Sequence, residues 1–147
     1  MTDTFLARQL TQRLALLAGA LLLLSGCATN AANSIEVSPG GTAQVTIKNS
    51  GLQSECELRD GAVLYEGDIM AAWVLVQSHV DEKQTLEGRW TWMDRDGFQL
   101  DDGTRAWKTV FVNALEEQKI MGRSPNAKAV RGTYELRYHS GVTDGDE

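Results

Sequence analysis

Residues 89–100 read RWTWMDRDGFQL and contain the strongest folding signal in the sequence. Two tryptophans, Trp90 and Trp92, alternate with polar residues, which is the period of two expected of a β-strand with one buried face. Asp96-Gly97 then separates this run from the apolar residues that follow, and an Asp-Gly pair between two such runs predicts a hairpin turn. The stretch therefore predicts two antiparallel strands.

Further strand candidates lie on both sides of this hairpin. Residues 133–138 (TYELRY) alternate most clearly, and residues 42–48 alternate so that their apolar side chains, Val45 among them, are predicted to be half-buried. Residues 69–76 (IMAAWVLV) are continuously apolar, which favours a strand buried on both faces, with a helix as the alternative. Several short strands separated by turn residues predict an all-β sandwich or small barrel. The remaining candidates are residues 62–65, 87–93, 108–112 and 118–121.

The composition of the two ends differs from that of the middle. Residues 27–41 are small and polar after their cysteine, which predicts a flexible tether, and residues 140–147 (SGVTDGDE) predict a disordered acidic tail. Residues 42–139 are predicted to form a single domain. Within it, residues 49–51 (NSG) predict a turn, and residues 113–119 are interpreted as a short turn or loop.

The N-terminus has the features of a secretion signal. Residues 14–24 (LALLAGALLLL) are apolar and follow a segment with two arginines. This run matches the apolar region of a signal peptide and is shorter than the roughly 20 residues that span a bilayer. The following LSGC at residues 24–27 resembles the lipobox of bacterial lipoproteins. The resemblance implies that residues 1–26 are removed and that Cys27 is diacylated on sulfur and then acylated on its new amino terminus.

The net charge of the chain and the residue that follows Cys27 give expectations about partners and location. The net charge is −6 and becomes one unit more negative without the signal peptide, which argues against nucleic acid or anionic headgroups as partners recognised by bulk charge. Membrane contact is therefore expected through the acyl chains, palmitate among them. Ala28, rather than an Asp that tends to retain lipoproteins in the inner membrane, favours the outer membrane with the domain facing the periplasm.

The order of motifs resembles the YcfL family of small bacterial envelope lipoproteins, which has no assigned activity. Its members show a lipobox and then a strand ending in an aromatic-x-Trp-x-Asp-x-x-Gly pattern, matched here from Trp90 to Gly97. Trp107, Pro125 and the closing aromatic-rich strand follow in the family's order, so the likeness covers residues 69–138. The resemblance implies an immunoglobulin-like β-sandwich and supplies no catalytic residues.

Cysteine and metal-binding residues offer little chemistry. With Cys27 lipidated, Cys56 has no partner within the chain, and a buried thiol is favoured over an intermolecular bridge. The acidic turn at residues 94–97 resembles the start of a calcium loop but lacks the later ligands, so a cation shared with residues 101–103 is only a weak alternative. His79 and His139 have no nearby His or Cys. No metal or cofactor is expected.

Four tryptophans are many for so small a chain. Core packing is predicted for Trp73 and for at least one of Trp90 and Trp92, because a buried aromatic removes a large area from water. Trp107 lies next to a loop and is the one most expected to be exposed, which would suit contact with a protein partner or stacking against a glycan. The candidate contact residues are Arg105, Trp107 and Asn126.

These observations rank three functions. A non-catalytic interaction module for an envelope protein or assembly is favoured, because a lipid anchor, a tether and a small β domain occur without a Gly-x-Ser-x-Gly motif or phosphate loop. The alternative is an accessory module that binds peptidoglycan or another glycan through Trp107. A cell-wall hydrolase ranks last, since the sequence singles out no pair of acids, and the protein is predicted not to be an enzyme.

Overall fold

The computed structural model describes residues 30–100 and 106–140. This part of the chain is nearly all β, with one short helix. In chain order the elements are β1 (Asn33–Val37), β2 (Gln44–Thr46), α1 (Ser50–Glu55), β3 (Cys56–Glu66), β4 (Ile69–Ser78), β5 (Gln84–Met93), β6 (Gln99–Leu100), β7 (Lys108–Val112), β8 (Glu117–Arg123) and β9 (Arg131–Tyr138).

The strands form two antiparallel sheets that pack face to face. The larger, six-stranded sheet has the order β2-β1-β9-β5, and the far side of β5 pairs with β7 along its first half and with β6 at its end. The smaller, three-stranded sheet has the order β3-β4-β8. The prediction of an all-β, immunoglobulin-like sandwich is thereby confirmed in its class and its two layers.

The core lies between the two sheets in two clusters of buried residues, and the partly buried Ala43 and Trp90 pack against both clusters. Its largest fully buried side chains include Trp92 and Tyr134 of the larger sheet and Leu58 and Met70 of the smaller one. Burying one large aliphatic side chain contributes roughly 1.5–3 kcal/mol, so this layer supplies most of the favourable free energy of folding. The other buried aliphatic residues are Ile35, Val37, Leu52, Val74, Val76, Leu86, Val112 and Leu136.

The prediction of a flexible tether at residues 27–41 is wrong for residues 33–37, which form β1. Ile35 and Val37 are buried at 0% and 2% exposure, and β1 lies inside the larger sheet between β2 and β9. Asn33 is also buried. Its side-chain oxygen is satisfied there by hydrogen bonds that it accepts from the amides of Lys48 and Asn49 at 2.9 and 2.8 Å. Five residues with two inward apolar side chains were enough to make a strand, so the domain begins before residue 42.

Two predictions immediately after β1 also need correction. Asn49 does not simply end a strand in a turn: its side chain accepts a hydrogen bond from the Leu52 amide at 3.0 Å and so caps α1. The strand predicted at residues 42–48 is real but only three residues long, and of its predicted half-buried side chains Ala43 is half-buried whereas Val45 and Ile47 are exposed. Val45 is 38% exposed because β2 is an edge strand with neighbours on one side only.

The remaining strand predictions are confirmed, with one difference in burial. The apolar run at residues 69–76 is the strand β4 and not a helix. Alternate residues such as Ala72 and Val74 are fully buried, whereas Trp73 and Leu75 point outward and are half-exposed. The prediction of core packing for Trp73 is therefore wrong, although it is correct for Trp92.

The turns around the central strands follow the predicted chemistry. Between β5 and β6, the amide of Asp94 donates to the carbonyl of Phe98 at 2.9 Å, and Gly97 has a φ of 84°. The Asp-Gly hairpin is therefore confirmed. Residues 113–116 form the predicted turn, in which Leu115 has a φ of 56°, whereas residues 117–119 of the predicted loop belong to β8 because they pair with β4.

Several predictions lie outside the described residues. They concern the signal peptide (1–26), Cys27, the acidic turn at 101–103, Arg105 and residues 141–147 of the acidic tail. Within residues 30–100 and 106–140, no helix has the length and apolar character needed to cross a membrane.

Candidate functional site

The outer face of the larger sheet carries a compact set of ion pairs, which we call the charged face (Glu87, Arg89, Glu135 and Arg137). Along the register of β5 and β9, Glu87 lies opposite Arg137 and Arg89 lies opposite Glu135. The Arg89 Nε atom is 2.6 Å from a Glu135 oxygen, and Arg137 Nη2 is 2.7 Å from Glu87 Oε2. Each acid therefore faces a base directly across the two strands.

Glu87 is the most enclosed member of the charged face, at 8% exposure. Its burial alone would raise the pKa of the carboxyl group. The hydrogen bond and charge of Arg137, the hydroxyl of Ser140 and the nearby His139 outweigh that effect and hold the pKa of Glu87 below its usual value. Glu87 is therefore an ionised, structurally engaged carboxylate at neutral pH.

Trp107 covers the charged face. Its ring centroid lies 4.3 Å from the guanidinium carbon of Arg89 and 4.0 Å from that of Arg137. Both guanidinium groups therefore contact the indole ring, an arrangement stabilised by the attraction of a cation to an aromatic face. The residue expected to be an exposed contact is only half-exposed and packs against its own sheet.

The outer face of the three-stranded sheet is different in chemistry. We call it the apolar face, and it consists of the outward side chains of β3, β4 and β8. In one row across the sheet, Ala62 pairs with Trp73, and Trp73 pairs with Met121. Met121 is 58% exposed and Leu64 is 44% exposed. The accessible members of the apolar face are Ala62, Leu64, Trp73, Leu75 and Met121, whereas Ala71 in the same rows is buried.

Charged residues border the apolar face at both ends. At one end Arg59 lies 3.6 Å from Glu117, and at the other end Arg123 lies 3.5 Å from Glu66. The ammonium nitrogen of Lys119 lies 4.3 Å from the ring centroid of Trp73. The apolar face therefore has an apolar centre, one lysine over its tryptophan, and ion pairs of both charges at its two ends.

The three predicted contact residues do not form one described site. Trp107 lies over the charged face, and Asn126 closes a turn between β8 and β9. In that turn the Asn126 carbonyl accepts from the Ser124 hydroxyl and its side chain accepts from the Lys128 amide, each at 2.9 Å. Arg105 lies outside the described residues. The apolar face was missed, although the continuous apolar run that became β4 was its signal.

A cluster of aromatic side chains lies between the sheets. The rings of Trp90 and Trp92 stack with centroids 5.1 Å apart, and Tyr134 lies against Trp90 at 5.2 Å. Burial strongly raises the pKa of the Tyr134 hydroxyl. The cluster lies beside a cavity of about 270 Å³ that opens between β7 and β8.

The remaining reactive groups have structural partners. Cys56 is a free thiol at 1% exposure, so the prediction of a buried thiol is confirmed. Burial, followed by the nearby charge of Glu55, raises the pKa of this thiol to about 11, although a hydrogen bond with Ser78 opposes the shift. His79 lies 3.1 Å from Glu57 on the surface. Cys56 is therefore protonated and shielded at neutral pH.

In the acidic turn at residues 94–97, the Asp94 side chain binds backbone amides. The Asp94 side-chain oxygen accepts hydrogen bonds from the amides of Asp96 and Phe98 at 3.0 and 2.8 Å. In the part of the chain that the structure describes, no three His, Cys, Asp or Glu side chains are grouped so that they could hold a metal ion. The described partners of Asp94 are those of a side-chain-stabilised turn.

The fold and its two outer faces define a small β-sandwich domain whose described surface includes one apolar sheet face. The model of the DUF1425 family, described as a protein of unknown function, matches residues 43–137 of this chain. The chain therefore belongs to the DUF1425 family. The match begins after β1, which shows that the structural domain extends beyond the matched sequence.

Two solved structures share this architecture. A DUF1425 member from Shewanella sp. PV-4 has a TM-score of 0.54 and 25% identity, and the match covers 74% of this chain and 98% of that one. The Campylobacter jejuni protein Cj0090 has a TM-score of 0.50 and 15% identity, covering 56% of this chain and 85% of that one, and shows similarity of fold alone. No curated protein sequence matches the chain.

Proposed function

We propose that this DUF1425 protein is a YcfL-like lipoprotein of the bacterial envelope whose domain is a non-catalytic interaction module. The observation that supports the proposal is the apolar face of the three-stranded sheet. The proposed occupant is the surface of an envelope protein with an apolar centre and charges of both signs around it, which would complement the rim formed by Arg59, Glu66, Glu117 and Arg123.

Exposure distinguishes the apolar face from ordinary scattered surface residues. Leu64 and Met121 are exposed side by side with Trp73 on the same face of adjacent strands, so they form a contiguous patch. Contiguous patches of this kind on a small domain mark contact surfaces, whereas single exposed apolar side chains need no explanation. Trp73 is the natural central contact, because tryptophan is enriched among the residues that dominate binding free energy.

The position of β1 supports an anchored arrangement. If Cys27 carries the lipid, the five residues between Cys27 and Asn33 reach at most about 20 Å. The end of the sandwich that carries the start of β1 would then face the membrane. The same end carries α1 and the loop after β4, since the His79 amide donates to the Glu55 carbonyl at 2.8 Å. The proposal places the domain at the periplasmic face of the outer membrane.

The charges at that end fit an anchor made by acyl chains alone. Glu55, Asp81, Glu82 and Glu116 lie there or in the adjoining turns, with Lys83 among them. Such a surface would be repelled by anionic headgroups, so the protein itself would contribute little to membrane attachment. The apolar face runs along the side of the sandwich and would stay accessible to a neighbouring protein.

In-cell photocrosslinking tests the interaction surface. A photoreactive residue is placed at Leu64 or Met121 in the full chain, and Ile47 serves as the matched control because it is 53% exposed and directly follows β2 of the other sheet. We expect a discrete protein adduct from the two positions on the apolar face and none from Ile47. Equal adducts from Met121 and Ile47, or adducts with glycan alone, would contradict the proposal, and glycan adducts would support a wall-binding module.

Lipid attachment is tested separately. Cells are grown with a clickable palmitate analogue, and the wild-type chain is compared with Cys27→Ala. We expect the label on the wild type and its loss from the variant, together with release of the variant from the membrane fraction. Label retained by Cys27→Ala would exclude the proposed anchor while leaving the crosslinking result to be judged on its own.

A further inference from the structure

The side of the sandwich between β7 and β8 is open. Among the described strands, β7 pairs only with β5 and β8 only with β4, so each is an edge of its sheet. The cavity of about 270 Å³ and a shallower one of about 410 Å³ lie between these two edges and share Val110 and Ile120 in their walls. Together they form one groove along β7, which we call the edge groove (residues 108–111 and 118–122).

The floor of the edge groove is apolar. Val110 and Ile120 are half-buried and pack against the core from the two different sheets. Trp90 lines the same floor, with its indole ring packed on β8 at Gly122, where a Cβ atom would lie 2.5 Å from Cδ1 of the ring. The edge groove therefore offers half-buried apolar side chains that an extended chain could cover.

The backbone of β7 is available for pairing on its free side. In a strand, the N–H and C=O groups of successive residues point alternately to the two sides, so about half of those in β7 point away from β5. The backbone hydrogen bonds of the described turns and loops include none to residues 108–112. These groups therefore face the edge groove, where an added strand would lie about 4.8 Å from β7.

The outward side chains of β7 do not protect this edge. Thr109 and Phe111 are exposed and uncharged, and Phe111 has an exposure of 51%. Three of the four outward residues of β8 are charged, namely Glu117, Lys119 and Arg123. Charged side chains are a common protection of edge strands against pairing with another chain. Of the two edges, β7 is therefore the one suited to accept a strand.

Basic side chains border the edge groove. Lys108 lines one part of it and Lys119 the other, and the ammonium nitrogen of Lys83 lies 4.4 Å from the ring centroid of Phe111. The ion pairs between described residues include none of these three lysines. No Asp or Glu is among the described residues that line the groove. In a chain of net charge −6, this local charge favours an acidic occupant over a second copy of β7, which would bring the same lysines.

We infer that the edge groove binds an extended, acidic segment of another protein, which is added as a strand beside β7. Main-chain hydrogen bonds to the free side of β7 supply most of the affinity in this mode of recognition, and alternate side chains supply the specificity. Inward side chains of the segment contact Val110 and Ile120, so branched apolar residues fit there. Acidic residues at the ends of the segment lie near Lys83 and Lys108.

The edge groove is a different site from the apolar face. The apolar face lies on the outside of the smaller sheet and suits a folded surface, whereas the edge groove lies between two strand edges and suits an extended segment. The inference therefore does not rest on the proposed function, and either can fail without the other. Met121 borders both sites, so variants of Met121 cannot distinguish them.

The test uses the full chain in lipid nanodiscs and follows backbone amide exchange by NMR. The probe is the blocked peptide EVTVTVE, in which valines alternate with polar residues between two acids. KVTVTVK reverses the charge, and EVTPTVE lacks the central amide donor. We expect saturable binding of EVTVTVE that slows the fast-exchanging amides of β7 at least about tenfold and leaves those of β8 unchanged. Both control peptides should bind at least about tenfold more weakly.

Three outcomes would overturn the inference. The first is no slowing of β7 exchange at up to about 5 mM EVTVTVE, after correction for binding to empty nanodiscs. The second is slowing along β8 in place of β7. The third is protection of every β7 amide before peptide is added. Protection that rises with protein concentration would assign the edge to a second copy, and protection independent of concentration would assign it to the chain itself.

Substitutions test the basic border. Lys83→Gln combined with Lys108→Gln is expected to weaken EVTVTVE binding about tenfold and to reduce its preference over KVTVTVK. The matched control is Lys48→Gln combined with Lys128→Gln, since both lysines are exposed away from the edge groove and the change in net charge is the same. The control should alter the affinity by less than about twofold. Equal effects of the two double variants would show that the peptide senses net charge and would contradict the site.

Discussion

The two outer faces of this sandwich are built on the same alternation of strand residues and have opposite chemistry. On the larger sheet, Glu87 and Arg137 pair at 2.7 Å beneath Trp107, so the face is polar and internally satisfied. On the smaller sheet, Trp73 and Met121 are neighbours on a face that has ion pairs at both ends and the Lys119 ammonium over Trp73. The comparison separates residues that hold the domain together from residues free to contact something else.

The largest expected difference between the faces is in stability. Glu87→Gln removes the charge that pairs with Arg137 and should lower the free energy of unfolding by about 2 kcal/mol. Met121→Gln on the apolar face should change the free energy of unfolding by less than about 0.5 kcal/mol, because an exposed side chain makes few packing contacts that the substitution could remove. Urea denaturation at neutral pH measures both. A Glu87→Gln variant as stable as the wild type would remove the distinction between the faces.

The charged face should also make the free energy of unfolding depend on pH in the acidic range. The pKa of Glu87 is lower in the folded state, so its contribution is present above the usual value of 4.5 and is lost as the pH falls through the folded pKa. Wild-type stability should therefore decline by on the order of 1 kcal/mol more than that of Glu87→Gln between neutral and strongly acidic pH. Urea denaturation across that range measures it.

A control variant separates this effect from general acid unfolding. Glu36→Gln removes an exposed acid that lies 3.6 Å from Arg131 on the same sheet. Because exposed ion pairs contribute little, this variant should keep the acid dependence of the wild type. If Glu36→Gln flattens the profile as much as Glu87→Gln does, the dependence does not come from the enclosed pair.

Removing the cover of the charged face should have a smaller effect. Trp107→Ala exposes the guanidinium groups of Arg89 and Arg137 and should cost about 1 kcal/mol through two lost cation–aromatic contacts. Trp107→Tyr retains a ring and should recover part of this loss. Thermal unfolding compares the three proteins, and a Trp107→Ala variant with unchanged stability would favour a role for Trp107 in contacting a partner.

The smallest expected effect on stability comes from making the apolar face polar. Leu64→Asn combined with Met121→Gln should change the free energy of unfolding by less than about 0.5 kcal/mol per site. The double variant should nevertheless lose the protein adduct that a photoreactive residue placed at position 73 is expected to form in the otherwise unchanged chain. Retention of that adduct would show that the apolar face is not the contact surface.

Much of the fold was predictable because it depends on local alternation. The strands β5 and β9 were located from period-two patterns and β7 from its β-branched and aromatic residues, and the hairpin after β5 followed from Asp96-Gly97. The strand β1 was not located, since its two buried residues, Ile35 and Val37, stand in a polar context that resembles a linker. Its place in the sheet depends on pairing with β9, about 100 residues later in the sequence.

The candidate sites were less predictable, because they arise from contacts between distant strands. An apolar run was visible at β4, but only the pairing with β3 and β8 shows that half of its residues face outward. The cavity depends on Gly122 meeting Trp90, residues on different sheets. Trp107 was correctly placed beside a loop, yet its packing on Arg89 could not be read from sequence spacing.

The charges along β8 have a consequence for crowding. If Cys27 carries the proposed lipid anchor, copies of the protein are confined to a thin layer, where they meet far more often than in bulk solution. The edge of β8 could then template sheet growth from one molecule to the next, and its exposed Met121 would favour it. Glu117, Lys119 and Arg123 alternate along that edge, and charged side chains on an edge strand hinder such stacking. In such a layer, the charges of β8 would leave the proposed contact surface open to a partner while opposing aggregation of the copies.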